Sequence, residues 1–535
     1  MWGLAAQIYG LRSAGDGGVG HFGAVAALAE SAARRGADML ALSPAHALFL
    51  ADENHFTPYS PSSRLFSNAL YADPALVLGA ARVAAGGAAP HPATDGALID
   101  WPRASRARIA ALRALYVKFR DDDLPTAAPL ADDFLRFRAE GGAALQAHAV
   151  FEALHAREFS RDFTKWSWRG WPAHLRDAAS PEVEAFAREN ADEVAFHVFA
   201  QWLVDRSMAR AQGRAQAAGM RIGLVSDLAV GMNAGGSHAW SRPDDLLLGL
   251  SIGAPPDALA PLGQNWGLTT FSPRALRATG YAPFIATLRA ALRNAGGVRI
   301  DHVLGLVRLW LVPDDAAATE GVYLSYPTDD LIALIALESV RHRAVVIGED
   351  LGTAPHGLRE RLAEAGVAGM RIWQFERDGH RFHPPHWYAE GAVAMPATHD
   401  TATVAGWWKG LDIVTREKAG QLPPGRARAD CEVERAHARE LAWSAFVDAG
   451  VATPGPAPTE PQTVVDATLR FVASTPSKLV IVPLEDALAL EPQPNLPGTT
   501  NEHPNWRRRY PGAAHDMLDQ SDVAARLATL AAARN

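Results

Sequence analysis

The chain has 535 residues, 48% of them hydrophobic and 21% charged, which is ordinary for a globular protein. Its net charge of −8 argues against a nucleic-acid partner, and the sequence shows no signal peptide and no apolar run long enough to span a membrane. The single cysteine, Cys431, excludes an internal disulfide framework, so we expect a cytoplasmic protein in a reducing compartment.

The N-terminal part predicts alternating strands and helices. We expect a strand over Ala6–Tyr9, a helix over His21–Arg35 and a second strand over Met39–Leu42. A loop rich in proline, serine and asparagine then runs from Asn54 to Pro74. Tyr59 lies in this loop, where a tyrosine is most often part of surface packing.

A glycine pattern in this region imitates a dinucleotide-binding site. Gly15, Gly17 and Gly20 spell G-x-G-x-x-G before a helix, and Asp38 follows at about the expected spacing. Polar residues separate these glycines from the first strand, however, and Asp38 begins the second strand, whereas the fingerprint places its acid at the end of that strand. We therefore expect an ordinary loop and no NAD site.

Two parts of the chain predict helical insertions. Residues 76–190 are mainly helical in pattern and include the tryptophan-rich stretch W-S-W-R-G-W. Residues 409–461 predict a smaller helical excursion that ends in a proline-rich linker. We expect one catalytic domain over residues 1–535 that carries both insertions.

The strand predicted over Arg221–Asp227 ends in an acid, for which a turn-capping role is the alternative to a functional one. The following G-M-N-A-G-G-S-H comes close to a nucleophile elbow around Ser237. Ala239 replaces its last glycine, and no strand is predicted to end at the serine, so serine-hydrolase chemistry is not expected.

Farther on, Gly253–Gly267 contains three prolines and three glycines and predicts a shaped loop, since proline restricts the backbone.

Three predicted strands each deliver an acid near their carboxyl ends, namely Asp301, Glu349 and Asp400. Arg299 and Asp301 point to the same side of their strand, where the guanidinium favours the charged form of the carboxylate. An ordinary structural ion pair is the alternative. Catalytic residues of a (β/α)8 barrel gather from several strand ends at one face, and three acids converging there suggest chemistry on a glycosidic bond.

From Tyr281 to Asp400 helices and short apolar strands alternate regularly, which is typical of a parallel sheet. We therefore predict an α/β fold, a (β/α)8 TIM barrel with helical insertions between barrel strands. The nineteen histidines show no metal-ligand spacing, so we predict no metal and no cofactor.

The sequence resembles the 4-α-glucanotransferases of the amylomaltase type (disproportionating enzymes, glycoside hydrolase family 77, within the α-amylase clan). Four short motifs of the clan have counterparts here: S-D-L-A-V from Ser226, V-R-I-D-H from Val298, G-E-D-L-G from Gly348 and A-T-H-D from Ala397. Three stretches are more specific to amylomaltases: P-Y-S-P-S-S-R from Pro58, P-P-D-A-L-A-P-L-G-Q-N-W-G from Pro255 and N-L-P-G-T-T-N-E-H-P-N-W-R-R-R from Asn495. The resemblance covers the chain from Tyr9 to Arg509.

The resemblance implies a retaining transfer between α-1,4-glucans such as maltooligosaccharides, amylose and glycogen-derived dextrins. Asp301 would be the nucleophile and Glu349 the acid and base, with a pKa raised by its apolar neighbourhood. Asp400 would hold ring hydroxyls of a distorted sugar. The implied substrate contacts are Tyr59, Asp227, Asp257, Gln264, Trp266, Arg299, His302 and His399.

Some alternatives stay open at this point. His302 and His399 could be packed polar residues without a role in binding. Ala258 and Leu259 stand where many family members have aromatic residues, which puts acceptor stacking in doubt. An α-glucan hydrolase would share all three acids, because only access of sugar or water to the intermediate separates the two reactions. A non-catalytic glucan-binding protein is less expected, since none of the three acids is missing.

Overall fold

The computed structural model describes residues 1–85, 96–126, 128–256 and 262–534. The strands within these ranges are β1 Trp2–Ala6, β2 Met39–Leu42, β3 His46–Ala47, β4 Ser63–Ser67, β5 Gly223–Leu228, β6 Met232–Asn233, β7 Leu250–Ala254, β8 Gln264–Thr269, β9 Gly297–Ile300, β10 Arg308–Pro313, β11 Val322–Ser325, β12 Val345–Gly348, β13 Val367–Ile372, β14 Val393–Met395 and β15 Leu479–Pro483.

The α-helices within the same ranges are α1 Phe22–Ala33, α2 Pro74–Leu78, α3 Ala80–Ala85, α4 Trp101–Lys118, α5 Pro129–Arg161, α6 Pro181–Glu189, α7 Ala191–Ala217, α8 Ser237–Ser241, α9 Pro273–Ala278, α10 Ala282–Leu292, α11 Thr328–His342, α12 Leu358–Glu364, α13 Val404–Lys409, α14 Leu411–Lys418, α15 Arg428–Asp448, α16 Pro461–Ala473, α17 Leu484–Ala487 and α18 Ser521–Arg534. None of the helices described here combines the length and the apolarity needed to cross a bilayer.

Eight parallel strands close into a barrel in the order β1-β15-β14-β13-β12-β9-β5-β2. Helices on one side and barrel interior on the other bury both faces of these strands, which explains their nearly continuous apolar sequences. β15, L-V-I-V-P, is buried along its whole length. The predicted (β/α)8 TIM barrel is thus confirmed.

The first strand was predicted wrongly as Ala6–Tyr9, since β1 is Trp2–Ala6 and Ile8–Gly10 forms a 3-10 turn. Pairing on both sides sets the position of β1, because Gly3 faces Ile481 of β15 and Met39 of β2. A Cβ atom on Gly3 would lie 2.3 Å from the Met39 carbonyl oxygen, so the two strands approach closely only with glycine there. The local apolar pattern could not reveal this constraint.

A second sheet covers one side of the barrel mouth and was not predicted. It has five strands in the order β11-β10-β7-β8-β6, and its main pairings are antiparallel. The stretch Gly253–Gly267, predicted as a loop, therefore begins in β7 and ends in β8. The loop predicted over Asn54–Pro74 likewise contains β4, which pairs with β3. These pairings join segments far apart in sequence, such as Trp310 with Gly253.

Long helices occupy much of the region predicted as the larger insertion. Of these, α5 packs against α7, which follows the region and itself packs against α1 of the barrel. Helices α14 and α15 lie in the region predicted as the smaller excursion. The division of the chain into one catalytic domain with two insertions stays a prediction.

The glycine pattern at residues 15–20 forms a structural anchor. Asp16 is fully buried, pairs with Arg509, and accepts hydrogen bonds from the backbone N–H groups of Ser13 (3.0 Å) and Gly18 (2.8 Å). Asp38 lies at the opposite, amino-terminal end of the barrel, where it accepts a hydrogen bond from the Trp2 N–H (3.1 Å) and pairs with Arg221. Protein groups therefore bind both Asp38, the acid of the apparent fingerprint, and Asp16, which lies between its glycines.

Candidate active site

Arg299 lies at the centre of the barrel mouth. Its position beside Asp227 follows from strand register, because Asp227 of β5 is the direct neighbour of Arg299 in the parallel pairing of β5 with β9. Arg299 Nη1 donates to Asp227 Oδ1 (2.8 Å) and lies 3.0 Å from Asp301 Oδ1. The predicted pairing of Arg299 with Asp301 is confirmed, and the structure adds Asp227 as a second carboxylate partner.

The electrostatics of this group follow from burial and charge. Burial alone would lower the pKa of Arg299, but the carboxylates around it raise that pKa well above its ordinary value. Burial raises the pKa of Asp227, an effect that Arg299 opposes and Asp301 reinforces. The guanidinium is therefore a permanent cation that holds two carboxyl groups at the mouth.

The turn after β9 links Asp301 to Glu349. His302 adopts a left-handed conformation (φ 45°, ψ 58°), which is uncommon for a residue with a side chain. In this conformation its N–H donates to Glu349 Oε2 (2.9 Å). Since Gly348 of β12 pairs with Ile300 of β9, the residues that follow them, Glu349 and Asp301, leave adjacent strands at the same level.

Glu349 is held through both of its carboxylate oxygens. Besides the bond from His302, its Oε1 accepts a hydrogen bond from the Leu351 N–H (2.9 Å). Burial raises the pKa of Glu349 to about 7, with Arg299 opposing and Asp301 reinforcing the rise. The raised pKa agrees with the prediction from the apolar run before this residue. Glu349 can therefore exchange a proton near neutral pH.

Asp400 lies in the loop after β14, five residues beyond Met395, rather than directly at a strand end. Its Oδ2 lies 3.2 Å from His399 Nε2, and its Oδ1 accepts a hydrogen bond from Asn495 Nδ2 (2.6 Å). Burial of the region would raise the pKa of Asp400, but His399, Asn495 and Arg299 outweigh it and lower the pKa to about 2. The side chain is nevertheless 45% exposed, so the carboxylate faces the groove.

Tyr59 connects this loop to the barrel strands. Its hydroxyl donates to Asp227 Oδ2 (2.5 Å), and its ring stacks on His399 with centroids 4.9 Å apart. Trp506 packs against both rings. The stack gives the groove an aromatic wall beside the carboxylates of Asp227 and Asp400.

The second sheet supplies Gln264 and Trp266 from β8. Trp266 Nε1 donates to Gln264 Oε1 (3.0 Å), and the Trp266 ring meets the His302 ring edge-on at 5.3 Å. The sheet thus reaches the turn that carries Asp301. Asp257, also predicted as a substrate contact, lies outside the described residues.

Ser237, considered as a nucleophile and rejected, is the first residue of α8 and is buried. Its Oγ lies 2.8 Å from His148 Nδ1, so a serine and a histidine do pair here. Because both side chains are buried, substrate cannot reach them, and the pair joins α5 to α8.

Sequence reasoning missed two contributors to the site. Asn495 was noted only as the start of the N-L-P-G-T-T stretch, yet its side chain holds Asp400 and its backbone N–H donates to the His399 carbonyl oxygen (3.2 Å). Trp506, in the same stretch, supports Tyr59 and His399. The density of polar and aromatic residues in this loop was the available signal. Among the described residues, no three His, Cys, Asp or Glu side chains converge as metal ligands, and the absence of a cofactor stays a prediction.

The chain is similar in sequence to known proteins over most of its length. A family model described as 4-alpha-glucanotransferase matches residues 6–515. The 4-alpha-glucanotransferase of Mycobacterium tuberculosis (strain ATCC 25618 / H37Rv) is 36% identical over 99% of this chain and 74% of its own length. The 4-alpha-glucanotransferase of Haemophilus influenzae (strain ATCC 51907 / DSM 11121 / KW20 / Rd) is 31% identical over 95% of this chain and 75% of its own length.

Two solved structures resemble the fold. The amylomaltase of Corynebacterium glutamicum has a TM-score of 0.85 and 29% identity, covering 100% of this chain and 75% of that one. The amylomaltase of Streptococcus agalactiae, solved in complex with acarbose, has a TM-score of 0.78 and 19% identity, covering 99% and 98%. At that identity the second match supports the fold alone.

Proposed function

This chain belongs to the 4-alpha-glucanotransferase family, and we propose that it moves glucanosyl units between α-1,4-glucans through a covalent intermediate on Asp301. The transferase activity is that of the family, while the residue roles are the proposal. One observation carries it: Asp301, paired with a buried guanidinium, lies beside Glu349, whose pKa burial raises to about 7. A nucleophile needs its charge and a general acid needs its proton.

In the first step, the Asp301 carboxylate attacks the anomeric carbon of the donor sugar. The glycosidic C–O bond breaks as Glu349 gives its proton to the departing 4-oxygen, so a glycosyl ester on Asp301 and a shortened glucan result. The 3.0 Å contact between Arg299 Nη1 and Asp301 Oδ1 fixes the attacking carboxylate below the sugar. The two hydrogen bonds to Glu349 fix the acid beside it.

In the second step, Glu349 acts as a base. It removes the proton from the 4-hydroxyl of an incoming glucan, whose oxygen attacks the anomeric carbon and releases Asp301. Two inversions at that carbon retain its configuration. The enzyme returns to its starting state with Glu349 protonated, so no cofactor is needed.

The remaining polar groups would bind the reacting sugar. Asp400 keeps its charge over the working pH range, since its pKa lies at about 2. A carboxylate that faces the groove can bind ring hydroxyls and stabilise a distorted sugar near the oxocarbenium-like transition state. His399 and Tyr59 form the wall beside it, and the aromatic face suits the apolar side of a glucose ring.

An α-1,4-glucan hydrolase is the alternative, because it would use the same three acids. The second sheet favours transfer, since Trp266 meets His302 at the turn after the nucleophile and can shield the intermediate from water. We propose maltooligosaccharides, amylose and glycogen-derived dextrins as substrates. The cytoplasmic location stays a prediction from the single cysteine.

The deciding experiment incubates the protein with maltotriose and quantifies glucose, longer maltodextrins and total reducing ends. Transfer predicts glucose together with longer chains at constant reducing ends. Asp301→Asn should lose the activity, whereas Asp522→Asn, the same change on the outer helix α18, should keep it. Rising reducing ends without longer chains would make the protein a hydrolase, and an active Asp301→Asn would refute the assigned nucleophile.

A further inference from the structure

A cavity of about 60 Å3 lies inside the barrel, beneath the catalytic groups. Its lower wall is apolar and comes from the barrel interior, with Ile347, Met370 and Ile481 among its lining residues. Asp227, Arg299 and His399 form part of its upper wall, but Asp301, Glu349, Asp400 and Tyr59 do not line it. The cavity therefore lies on the far side of the groups that would touch the sugar.

Polar side chains from strand ends face this cavity. Gln7 follows β1 and Glu485 follows β15, and both are more than nine-tenths buried. Within the described part of the chain, Gln7 Oε1 is buried without a hydrogen-bond partner. A buried acceptor without a partner has lost its hydration with nothing in exchange, so such atoms usually bind an ordered water. Since one water needs about 10–15 Å3 of this volume, about four would fit.

Glu485 has no part in the mechanism derived above. Its Oε1 accepts a hydrogen bond from the Tyr510 hydroxyl (2.8 Å), which in turn accepts one from the Gln7 N–H (3.0 Å). Burial raises the pKa of Glu485, whereas Tyr510 and the charge on His399 lower it. The carboxyl group and the imidazole both line the cavity, and no direct hydrogen bond joins them among the described residues.

We propose that this cavity binds ordered water molecules that connect Glu485 and Gln7 to His399 and Asp227, and that Glu485 is a positioning residue for glycosyl transfer. The water binds His399 at Nδ1, which lies 3.5 Å from the Tyr59 hydroxyl. His399 in turn holds Asp400 through Nε2. A disturbance in the cavity therefore moves the carboxylate that binds the reacting sugar. This inference rests on the proposed roles of His399 and Asp400.

Substitution of Glu485 tests the proposal, with maltotriose disproportionation as the assay. Glu485→Leu should lower kcat about tenfold with little change in KM, because the water molecules lose a hydrogen-bond partner while the groove keeps its shape. Glu485→Gln should restore most of kcat, since an amide still accepts from Tyr510 and can bind water. Glu152→Leu is the matched control: this buried glutamate lies on α5, accepts a hydrogen bond from the Leu50 N–H and does not line the cavity, so kcat should stay unchanged.

A second variant and a crystal structure keep the proposal testable if Glu485→Leu fails to fold. Ala41 lines the cavity, and Ala41→Val should displace water and lower kcat in the same way. A crystal structure at high resolution should show ordered water within hydrogen-bond distance of Gln7 Oε1 and Glu485. A dry cavity, an unchanged kcat in Glu485→Leu and Ala41→Val, or equal losses in the Leu, Gln and Glu152 variants would overturn the proposal. An inactive wild-type protein would instead refute the proposed function.

Discussion

The two sides of the groove are built in different ways. The floor, defined here as Asp227, Arg299, Asp301 and Glu349, stands on adjacent parallel barrel strands, and its side chains are largely buried. The roof, defined as the β7 and β8 segments, belongs to an antiparallel sheet with an open edge. Leu262, just before β8, is 80% exposed, and Trp266 is only half-buried.

This difference predicts a division of labour. Each floor residue is held by strand register and by at least one charged or backbone partner, so its geometry is set before substrate arrives. Preorganised groups of this kind act on the transition state and therefore on kcat. The roof lies next to the floor through the ring pair of Trp266 and His302, the residue that follows Asp301. Roof residues should therefore affect acceptor binding and exclusion of water more than bond cleavage.

The largest effect on the floor, after loss of the nucleophile, should come from Glu349→Gln. We expect transfer from maltotriose to fall by about 10²–10⁴-fold, because the leaving oxygen is no longer protonated. A maltosyl fluoride donor, whose fluoride leaves without a proton, should lose much less in the step that forms the intermediate. Equal losses with both donors would contradict the role of Glu349 as acid.

The same variant tests which group sets the pH dependence of kcat/KM. Because the raised pKa of Glu349 lies at about 7, the residue carries its proton below that pH and loses it above, so wild-type kcat/KM should fall as pH rises through about 7. Glu349→Gln should abolish this limb of the profile. A limb that persists in the variant would assign it to another group.

Asp400→Asn should have the next largest effect, about a 10²-fold loss of kcat, because a charge that stabilises the transition state is removed. The limb that Glu349 sets near pH 7 should remain in the variant, since the pKa of Asp400 lies at about 2 and the residue does not titrate between about pH 4 and 9. A profile measured with wild-type and variant protein in parallel provides the check. Loss of that limb would mean that Asp400 takes part in proton transfer.

Tyr59→Phe should lower kcat/KM about tenfold, the effect of one lost hydrogen bond to a charged group. The ring can still stack on His399, so the wall of the groove remains. Tyr323→Phe is the matched control, because Tyr323 lies half-exposed on β11 and packs against Trp310. Equal losses in the two variants would show that the Tyr59 hydroxyl has no special role.

The smallest effect on cleavage should come from the roof. Trp266→Ala removes the ring that meets His302, and we expect KM for the acceptor to rise about fivefold, in line with the loss of one aromatic contact. The share of hydrolysis products should increase while the rate of donor cleavage stays close to wild type. Trp387→Ala, a half-exposed tryptophan on the segment leading into β14, is the control. A large fall in the rate of donor cleavage in Trp266→Ala would contradict the proposed difference between the floor and the roof.

Local sequence was sufficient for the floor because its elements repeat a simple pattern. V-R-I-D-H, V-V-I-G-E-D and A-V-A-M-P each place β-branched or apolar residues in a short strand with polar residues after it, and parallel strands in register bring such ends together. The barrel, the Arg299–Asp301 pair and the raised pKa of Glu349 follow from these features. The start of β1 does not follow from the local pattern, because its neighbours in the barrel determine it and not its own apolar residues.

The sequence by itself determined the class of fold and predicted the three acids, since strand periodicity and motif residues are local properties. Only the tertiary structure decided that Tyr59 donates to Asp227, that Asn495 holds Asp400 and that β8 brings Trp266 to His302. Each of these contacts joins segments tens to hundreds of residues apart. Their geometry depends on how the barrel closes and how the second sheet pairs, and neither leaves a pattern in the neighbouring residues.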